Sequence, residues 1–278
     1  METLLATQPS SYRELLKNSL ILYRASFSKI IILSFFLSIV VFVPRLLSDV
    51  IGQEIFNVPP LNPHRLWILI VNLIGLIFFI GIIWRTHCTM RGYHEPLIED
   101  LTVGIKKVMY VFFATLLLSA FMFAASLIIF GLIIILNQHH LLFPHHWLGL
   151  IVTVLIFFGQ LFLLVYISNL FMFFMPIIAT ENKGVFGSIE SSVLLVWNHW
   201  WRVITLQMTP WILYLFLLIL IKYVFGINIH LYYMEQTPHT ITSTVLHLII
   251  FALFIPWVAA TLLVQLRDLE LRKAASKK

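Results

Sequence analysis

Six long apolar segments, separated by short polar ones, dominate the pattern of the chain. They lie at about 30–50, 66–84, 109–136, 148–176, 203–225 and 243–266. Each is about twenty residues or longer, the length that an α-helix needs to cross the hydrocarbon core of a bilayer. Lipid offers the backbone no hydrogen-bond partner, so such spans must be helical. The pattern predicts an all-α integral membrane protein with six transmembrane helices in a single membrane domain, residues 1–278.

The composition supports a membrane protein and excludes several other classes. Of the 278 residues, 60% are hydrophobic and 11% are charged, which differs strongly from an ordinary soluble domain. The single cysteine, Cys88, excludes a disulfide framework and a CxxC zinc or redox motif. The start of the chain carries Arg13, Lys17 and Arg24 and lacks the pattern of a cleaved signal peptide. The first span is therefore expected to act as its own insertion signal.

Basic residues are distributed unequally between the two sides of the predicted membrane. The N-terminal segment, the second and fourth loops and the C-terminal tail together hold 15 Lys and Arg residues, whereas the other side holds 3. Positively charged loops stay on the cytoplasmic side. Both termini are therefore expected to be cytoplasmic. The net charge of +6 then reflects topology and contact with anionic lipids, and nucleic acid is not an expected partner.

One pattern occurs three times along the chain: an amphipathic stretch, a basic residue and then a pair of spans. The three stretches are residues 12–33, 96–113 and 186–206. A helix with one apolar face and Lys or Arg near its end is typical of the headgroup layer. The pattern predicts three repeats of an interfacial helix plus a transmembrane hairpin. These repeat-like units would span about 10–84, 96–176 and 186–266.

Four residues are candidates for contact with lipid headgroups at the membrane surface. Trp197 and Trp201 lie beside Arg202, and aromatic and basic side chains of this kind are typical of the interface. Arg45 lies four residues before Asp49, so the two can pair on one helical face. Two interpretations stay open. Either the amphipathic helices only connect hairpins and Arg45 forms a local ion pair, or the helices shape a lipid-access groove and Arg45 binds an anionic headgroup.

Residues 179–206, ATENKGVFGSIESSVLLVWNHWWRVITL, resemble a region that precedes a span in the YciC-like bacterial inner-membrane proteins. The stretch is also similar to the membrane domain attached to some glycerophosphodiester phosphodiesterases. The matching positions are Glu181, Asn182, Ser188, Ser192, Trp197, Trp201 and Arg202. The resemblance implies an inner-membrane helical bundle. It does not imply phosphodiesterase activity, because this sequence contains no soluble catalytic domain of that kind.

The loop after the third span contains NQHHLLFPHHW, residues 137–147, with four histidines. Adjacent histidines rarely bind one metal ion, and Pro144 forces a turn between the two pairs. Zinc needs three or four ligands at fixed geometry, so a site that combines two outer loops suits a divalent metal better. The candidate ligands are His139, His146, His230, Glu235 and His239. A pH-responsive loop and plain interfacial polarity are the alternatives.

The sequence lacks the motifs of common catalytic sites. It holds no HExxH, no GxSxG and no glycine-rich phosphate loop. One cluster could still bind a cation or act as a base, and it consists of His87, His94, Glu95, Glu99 and Asp100. Glu99 and Asp100 also suit the first turn of a helix, where negative charge is favourable. An intramembrane lipid-modifying enzyme would require Glu95, Glu99 and His87 to converge on a cavity.

Amide side chains within the spans are expected to bond between helices, and prolines are expected to kink or end them. The amides are Asn72, Gln160, Asn169, Gln207 and Gln265, and the prolines are Pro176, Pro210 and Pro256. None of these interior polar groups is a carboxylate, so a proton-coupled transporter with an acid at the membrane centre is not expected.

These features predict a non-enzymatic polytopic membrane protein that associates with lipid, or takes part in envelope organisation or in transport. Its expected partners are membrane lipids, with a homo-oligomer or an envelope protein as further partners. No cofactor is expected. The first alternative is a divalent-metal transporter or sensor that uses the outer-loop histidines, and its cofactor would be a divalent metal. The second alternative is an intramembrane lipid-modifying enzyme.

Overall fold

A computed structural model describes residues 6–51, 63–93, 96–138, 147–181, 183–227, 229 and 241–275. The regular elements of this part of the chain are eight α-helices. They are α1 (Tyr12–Ile51), α2 (Pro63–Arg91), α3 (Leu97–Gln138), α4 (Trp147–Leu170), α5 (Phe174–Thr180), α6 (Val185–Val196), α7 (Trp200–Tyr223) and α8 (Ile241–Ala275). Six helical stretches are long and apolar enough to cross a membrane, the fourth of them formed by α4 and α5 together. The predicted all-α class and the six candidate spans are confirmed at this level.

Two of the three stretches predicted to be separate interfacial helices are continuous with the span that follows. Helix α1 runs unbroken from Tyr12 to Ile51, and α3 runs unbroken from Leu97 to Gln138. Neither stretch contains a proline between its polar start and its apolar part, so nothing ends the helix there. The structure therefore corrects the prediction of separate interfacial helices at these two places.

The third stretch does form a separate short helix. Helix α6 ends at Val196, and α7 begins at Trp200. The turn between them contains Asn198, a residue type that favours turns because its side chain competes for backbone hydrogen bonds. Helix α6 contacts α3, α4, α5 and α8, so it lies against the bundle at the point where the chain enters α7.

Helices α1 and α8 form the most extensive contact between two helices in the described bundle, and they run antiparallel. Ser10, just before α1, bonds to Asp268 near the end of α8. Phe42, far along α1, lies against His247 near the start of α8, with ring centroids 5.7 Å apart. Four serines on α1 are fully buried, namely Ser19, Ser26, Ser34 and Ser38. Small side chains allow helix backbones to approach closely in a membrane, and this explains the tight packing of α1.

Helices α2 and α3 cross closely at two glycines. A β-carbon on Gly104 would lie 2.5 Å from the backbone oxygen of Ile77, and one on Gly81 would lie 3.3 Å from that of Asp100. Beside this crossing, Arg85 Nε donates to Asp100 Oδ2 at 2.6 Å, and both side chains are buried. The glycines therefore set the helix separation at which this buried ion pair forms.

Helices differ greatly in how much of their apolar surface the bundle covers. In the most apolar stretch of α8, 67% of the residues are buried, whereas in the corresponding stretches of α3 and of α4 none is buried. Helix α8 is therefore the central element, surrounded by α1, α2, α6 and α7. The α3–α4 hairpin is peripheral, and its exposed apolar residues are suited to contact with lipid.

Two amides within the spans bond between helices as predicted, whereas two prolines do not end their helices. Asn169 Nδ2 donates to the backbone oxygen of Trp200, and Gln265 Nε2 donates to that of Val203 at 3.0 Å, so both amides bond between helices as predicted. Pro210 and Pro256 lie inside the unbroken helices α7 and α8. They do not end these helices, because neighbouring helices in a bundle support a strained turn.

The glycine crossing yields a direct test with a matched control on the same helix. Gly104→Ala should lower the thermal stability in detergent by an amount equivalent to about 1–3 kcal/mol, because the new methyl overlaps the backbone of α2. Gly131→Ala should leave the melting temperature unchanged or raise it, because a β-carbon there meets nothing within 4 Å. Equal melting temperatures for the two variants would contradict the close crossing.

Candidate functional site

One end of the bundle gathers the segments that the charge pattern assigns to a single side. The start of α1, the end of α2, the region of α5 and α6, the start of α7 and the end of α8 all meet there through side-chain contacts. We call this the basic end, because most of the Lys and Arg residues of the described chain belong to these segments. This grouping is expected if the long helices cross a membrane in alternating directions.

The basic end is organised around the buried carboxylate of Asp268, whose side chain is 1% exposed. Its Oδ1 accepts a hydrogen bond from the backbone N–H of Ser10 at 2.8 Å. Its Oδ2 lies 2.9 Å from Arg272 Nε and 3.4 Å from Arg202 Nε. Both guanidinium groups also donate to the backbone oxygen of Ser10, at 2.5 Å from Arg202 and 2.8 Å from Arg272. A buried charge is tolerated only when it is paired in this way.

This network joins three distant parts of the chain. Ser10 precedes α1, Arg202 lies in the first turn of α7, and Asp268 lies near the end of α8. Gln265, one turn before Asp268, adds hydrogen bonds to the backbone oxygens of Arg202 and Val203. The network therefore holds both ends of the described chain against the start of α7.

The interfacial residues predicted from the sequence adopt two different environments. Trp197 is 56% exposed and Trp201 is 64% exposed, so both present large aromatic surfaces outward. Trp200, between them, packs edge-on against Phe162 and Tyr166 with ring centroids 5.5 Å away in each case. Arg202, in contrast, is already engaged by Asp268 and Ser10. The aromatic residues are thus available to lipid, and the guanidinium of Arg202 binds within the bundle.

Two serines of the segment that carries the family resemblance have structural roles. Ser192 Oγ donates to the backbone oxygen of Leu170 at 2.7 Å and accepts from the N–H of Phe173 at 3.1 Å. These bonds satisfy backbone groups at the break between α4 and α5. Ser188 Oγ donates to the oxygen of Gly184 at 2.9 Å. Both serines are fully buried, and the bonds of Ser192 hold α6 against the break, whereas the bond of Ser188 lies within the first turn of α6.

Beside this network, two adjoining hollows open between α2, α5, α6 and α8. The larger has a volume of about 310 Å³ and is lined by Ile177, Glu181, Lys183, Ser191, Leu195, Glu270, Lys273 and Ala274. The smaller has a volume of about 60 Å³ and is lined by His87, Met90, Arg91, Thr180, Glu181, Leu263, Leu266, Arg267 and Glu270. Because both share Glu181 and Glu270, we call the two hollows together the Glu181/Glu270 cleft.

The charged groups of the Glu181/Glu270 cleft form ion pairs that a ligand can exchange. Lys183 Nζ lies 2.8 Å from Glu181 Oε2 and donates to Ser191 Oγ at 3.0 Å. Arg267 Nη1 lies 3.2 Å from Glu270 Oε2. These four charged side chains are between 33% and 46% exposed. Ion pairs this exposed contribute at most about 1 kcal/mol, so a bound ligand could replace one partner, unlike at Asp268.

The predicted metal site lies outside the described residues. This holds for all of its candidate ligands, which are His139, His146, His230, Glu235 and His239. Within the described ranges, no group of three or more His, Cys, Asp or Glu side chains is placed to hold a metal ion. Arg45 belongs to α1, but its side chain also falls outside the description. The metal and Arg45 hypotheses therefore stay predictions.

The predicted acidic cluster near His87 separates into different environments in the described structure. Asp100 is fully buried against Arg85, and Glu99 is exposed at the start of α3. His87 stacks on Trp84 and lines the smaller hollow, where the acidic neighbours are Glu181 and Glu270. Glu95 and His94 lie outside the described residues. Glu99 does not line this hollow, so the described part of the proposed catalytic set does not converge there.

Sequence reasoning missed the contribution of α8 to the cleft. Glu270 and Lys273 lie in RDLELRK, residues 267–273, which the charge pattern identifies only as a basic tail. The sequence did contain one signal, because this segment mixes acidic and basic residues. Asp268 and Arg272 are spaced four apart and can share one helix face. This spacing predicts only an ion pair within α8, whereas the cleft that α8 shares with the region of α5 and α6 depends on tertiary packing.

No protein-family model, no curated protein and no solved structure matches this chain. The likeness of residues 179–206 to the YciC-like proteins, and to the membrane domain of glycerophosphodiester phosphodiesterase-type proteins, therefore stays a prediction. What the fold defines is a class: a helical protein with six stretches suited to crossing a membrane.

The Asp268 network yields a stability test. Asp268→Asn should lower the free energy of unfolding in detergent by about 3 kcal/mol or more, because removing one partner of a buried ion pair leaves uncompensated charge. Glu270→Gln, two residues away, is the matched control and should cost at most about 1 kcal/mol, because its pair with Arg267 is partly exposed. Thermal unfolding of both variants in the same detergent measures the difference. Similar losses for the two would contradict the central role of Asp268.

His199 yields a test of pH dependence. Burial, and then the positive charges of Arg272 and Arg202, lower the pKa of His199 from its ordinary value of 6.5, although Asp268 opposes them. The folded protein therefore binds this proton less readily than the unfolded chain. Its contribution to stability is complete above about pH 6.5 and is lost as the pH falls below that value.

The change to make is His199→Asn, which removes the titrating ring and keeps a polar residue before α7. The melting temperature of the native protein should fall more steeply between about pH 7.5 and pH 5.5 than that of the variant. Parallel melting curves across this range would show that His199 does not contribute to acid sensitivity.

Proposed function

We propose that this protein is a non-enzymatic, multi-pass membrane protein that binds lipid headgroups at the basic end of its helical bundle. The observation that supports the proposal most directly is the Glu181/Glu270 cleft. Its larger hollow combines exchangeable charged side chains with an aliphatic wall formed by Ile177, Leu195 and Ala274. A phospholipid offers the matching combination of a charged headgroup and an apolar body.

The surroundings of the cleft support access from the membrane surface. Helix α6 forms one wall and exposes Phe186 and Leu194 to the outside. The exposed Trp197 and Trp201 follow directly along the chain, and tryptophan concentrates at the depth of the lipid headgroups. If these side chains lie in the headgroup layer, the cleft opens at the depth of the lipid headgroups.

We further propose that the basic end faces the cytoplasm in a bacterial inner membrane. The 15 basic residues assigned to that side support this orientation, and the anionic lipids of a cytoplasmic leaflet attract such a surface. A protein that binds lipid without acting on it chemically is suited to organising lipid or to assembling envelope components. The three similar segments of the chain would then be variants of one surface element, of which α6 alone forms a separate helix.

The test removes the two lysines of the larger hollow. In the double variant K183A/K273A, retention of added phospholipid should fall by about tenfold or more, because each 1.4 kcal/mol of lost binding free energy is a factor of ten. Native mass spectrometry of the protein in detergent, titrated with phospholipid, counts the bound lipids directly.

The matched control is the double variant R13A/K17A, which removes the same charge from the exposed start of α1, away from the lining of the cleft. It should retain lipid as the native protein does. If both double variants lose lipid equally, net charge alone explains the binding. If neither does, the cleft is not the site.

A further inference from the structure

We infer that the Glu181/Glu270 cleft selects a phosphoethanolamine headgroup, that is, a phosphate diester joined by two carbons to a primary ammonium. The inference rests on the proposed lipid binding and adds the chemical class of the lipid. It is carried by the arrangement of opposite charges in one hollow, which is lined by Lys183, Lys273, Glu181 and Glu270.

The larger hollow carries balanced charge. The larger hollow is lined by two lysines and two glutamates, so it offers sites for an anion and for a cation a short distance apart. Lys183, Lys273 and the hydroxyl of Ser191 are suited to the phosphate oxygens, since all can donate hydrogen bonds. Glu181 and Glu270 are suited to an ammonium group, since carboxylates accept them.

A ligand that enters the larger hollow must exchange with an existing ion pair. Lys183 is bound to Glu181 at 2.8 Å before any ligand arrives. A phosphate that takes Lys183 leaves Glu181 without this cation, so the modest stabilisation of this partly exposed pair is lost. An ammonium group on the same ligand replaces the lost cation. A zwitterionic headgroup therefore leaves both Lys183 and Glu181 paired, whereas a purely anionic headgroup leaves Glu181 without a cation.

The lining of the larger hollow distinguishes a primary ammonium from a quaternary one. A primary ammonium donates three hydrogen bonds and approaches a carboxylate closely. A trimethylammonium group donates none, and proteins recognise it with aromatic side chains. The described residues that line the larger hollow are aliphatic, charged or hydroxylic and include no aromatic ring. Ethanolamine therefore fits this lining better than choline does.

The size and the surroundings of the larger hollow suit a lipid headgroup. A volume of about 310 Å³ lies at the lower end of the range for small-molecule sites, roughly 300–1,000 Å³, and suits a headgroup without its acyl chains. Leu195 lines the hollow, and the exposed Leu194 is its neighbour on α6, so this wall provides apolar surface for the glycerol and the first acyl carbons. These contacts favour a membrane lipid over a soluble phosphodiester with the same headgroup.

The experiment compares three phospholipids with identical acyl chains, carrying ethanolamine, choline or glycerol headgroups. Each is titrated into the native protein in detergent and counted by native mass spectrometry. The ethanolamine lipid should bind about tenfold more tightly than either of the others. In the double variant E181Q/E270Q, the ethanolamine and choline lipids should bind alike, and the glycerol lipid should bind at least as well as to the native protein.

Each outcome bears on a different claim. If the glycerol lipid binds the native protein as well as the ethanolamine lipid, or if E181Q/E270Q keeps the full preference, the inference is overturned and the proposed lipid binding stands. If no lipid is retained, the proposed function fails as well. Should E181Q/E270Q not fold, the single variant Glu270→Gln is used and should show a smaller preference than the native protein.

A soluble compound with the same headgroup shows whether the occupant of the cleft is a membrane lipid or a soluble phosphodiester. Glycerophosphoethanolamine, which lacks acyl chains, should compete with the ethanolamine lipid only at concentrations at least about a hundredfold higher. If it competes at equal concentration, the acyl chains contribute nothing and the occupant is a soluble phosphodiester, which overturns the inference of a membrane lipid.

Discussion

The ion pairs of one buried carboxylate determine how the basic end is built. Asp268 lies near the end of the central helix α8, where water does not stabilise its charge, so Arg202, Arg272 and the backbone of Ser10 must all be in place. Those requirements fix the start of α7 and the segment before α1 relative to α8. The position of α6, which leads into α7, follows from them. The Glu181/Glu270 cleft then forms in the space that α5, α6 and α8 leave between them.

The number and approximate position of the spans could be predicted because that signal is local. A helix in lipid must be apolar along about twenty consecutive residues, whatever its neighbours are. The helix boundaries could not be predicted equally well. In α1 the polar residues at 12–29 suggest a helix lying in the interface, yet Leu15, Leu22 and Ile30 are buried against other helices. Tertiary packing covers the apolar face that an isolated interfacial helix would give to lipid.

The candidate site was only half predictable for a physical reason. Trp197 and Trp201 are recognised from residue type, because aromatic residues at the edge of a span have a known preference for the interface. The cleft depends on Glu181 and Glu270, which are far apart in the sequence and line the same hollows only because of tertiary packing. Arg202 shows the converse. Its position next to the tryptophans suggests exposure, and its partner Asp268 lies in another helix.

The pairing of α1 with α8 has a consequence for the order of events during biosynthesis. The serine-lined face of α1 emerges from the ribosome first, and its main partner begins only at Ile241. Chains grow by roughly 5–20 residues each second, so this polar face waits many seconds in the bilayer before α8 covers it. During this delay three of the four hydroxyls bond to carbonyls of their own helix: those of Ser19, Ser26 and Ser38, each at 2.8 Å. Helix α1 can therefore enter lipid alone and exchange lipid for α8 afterwards.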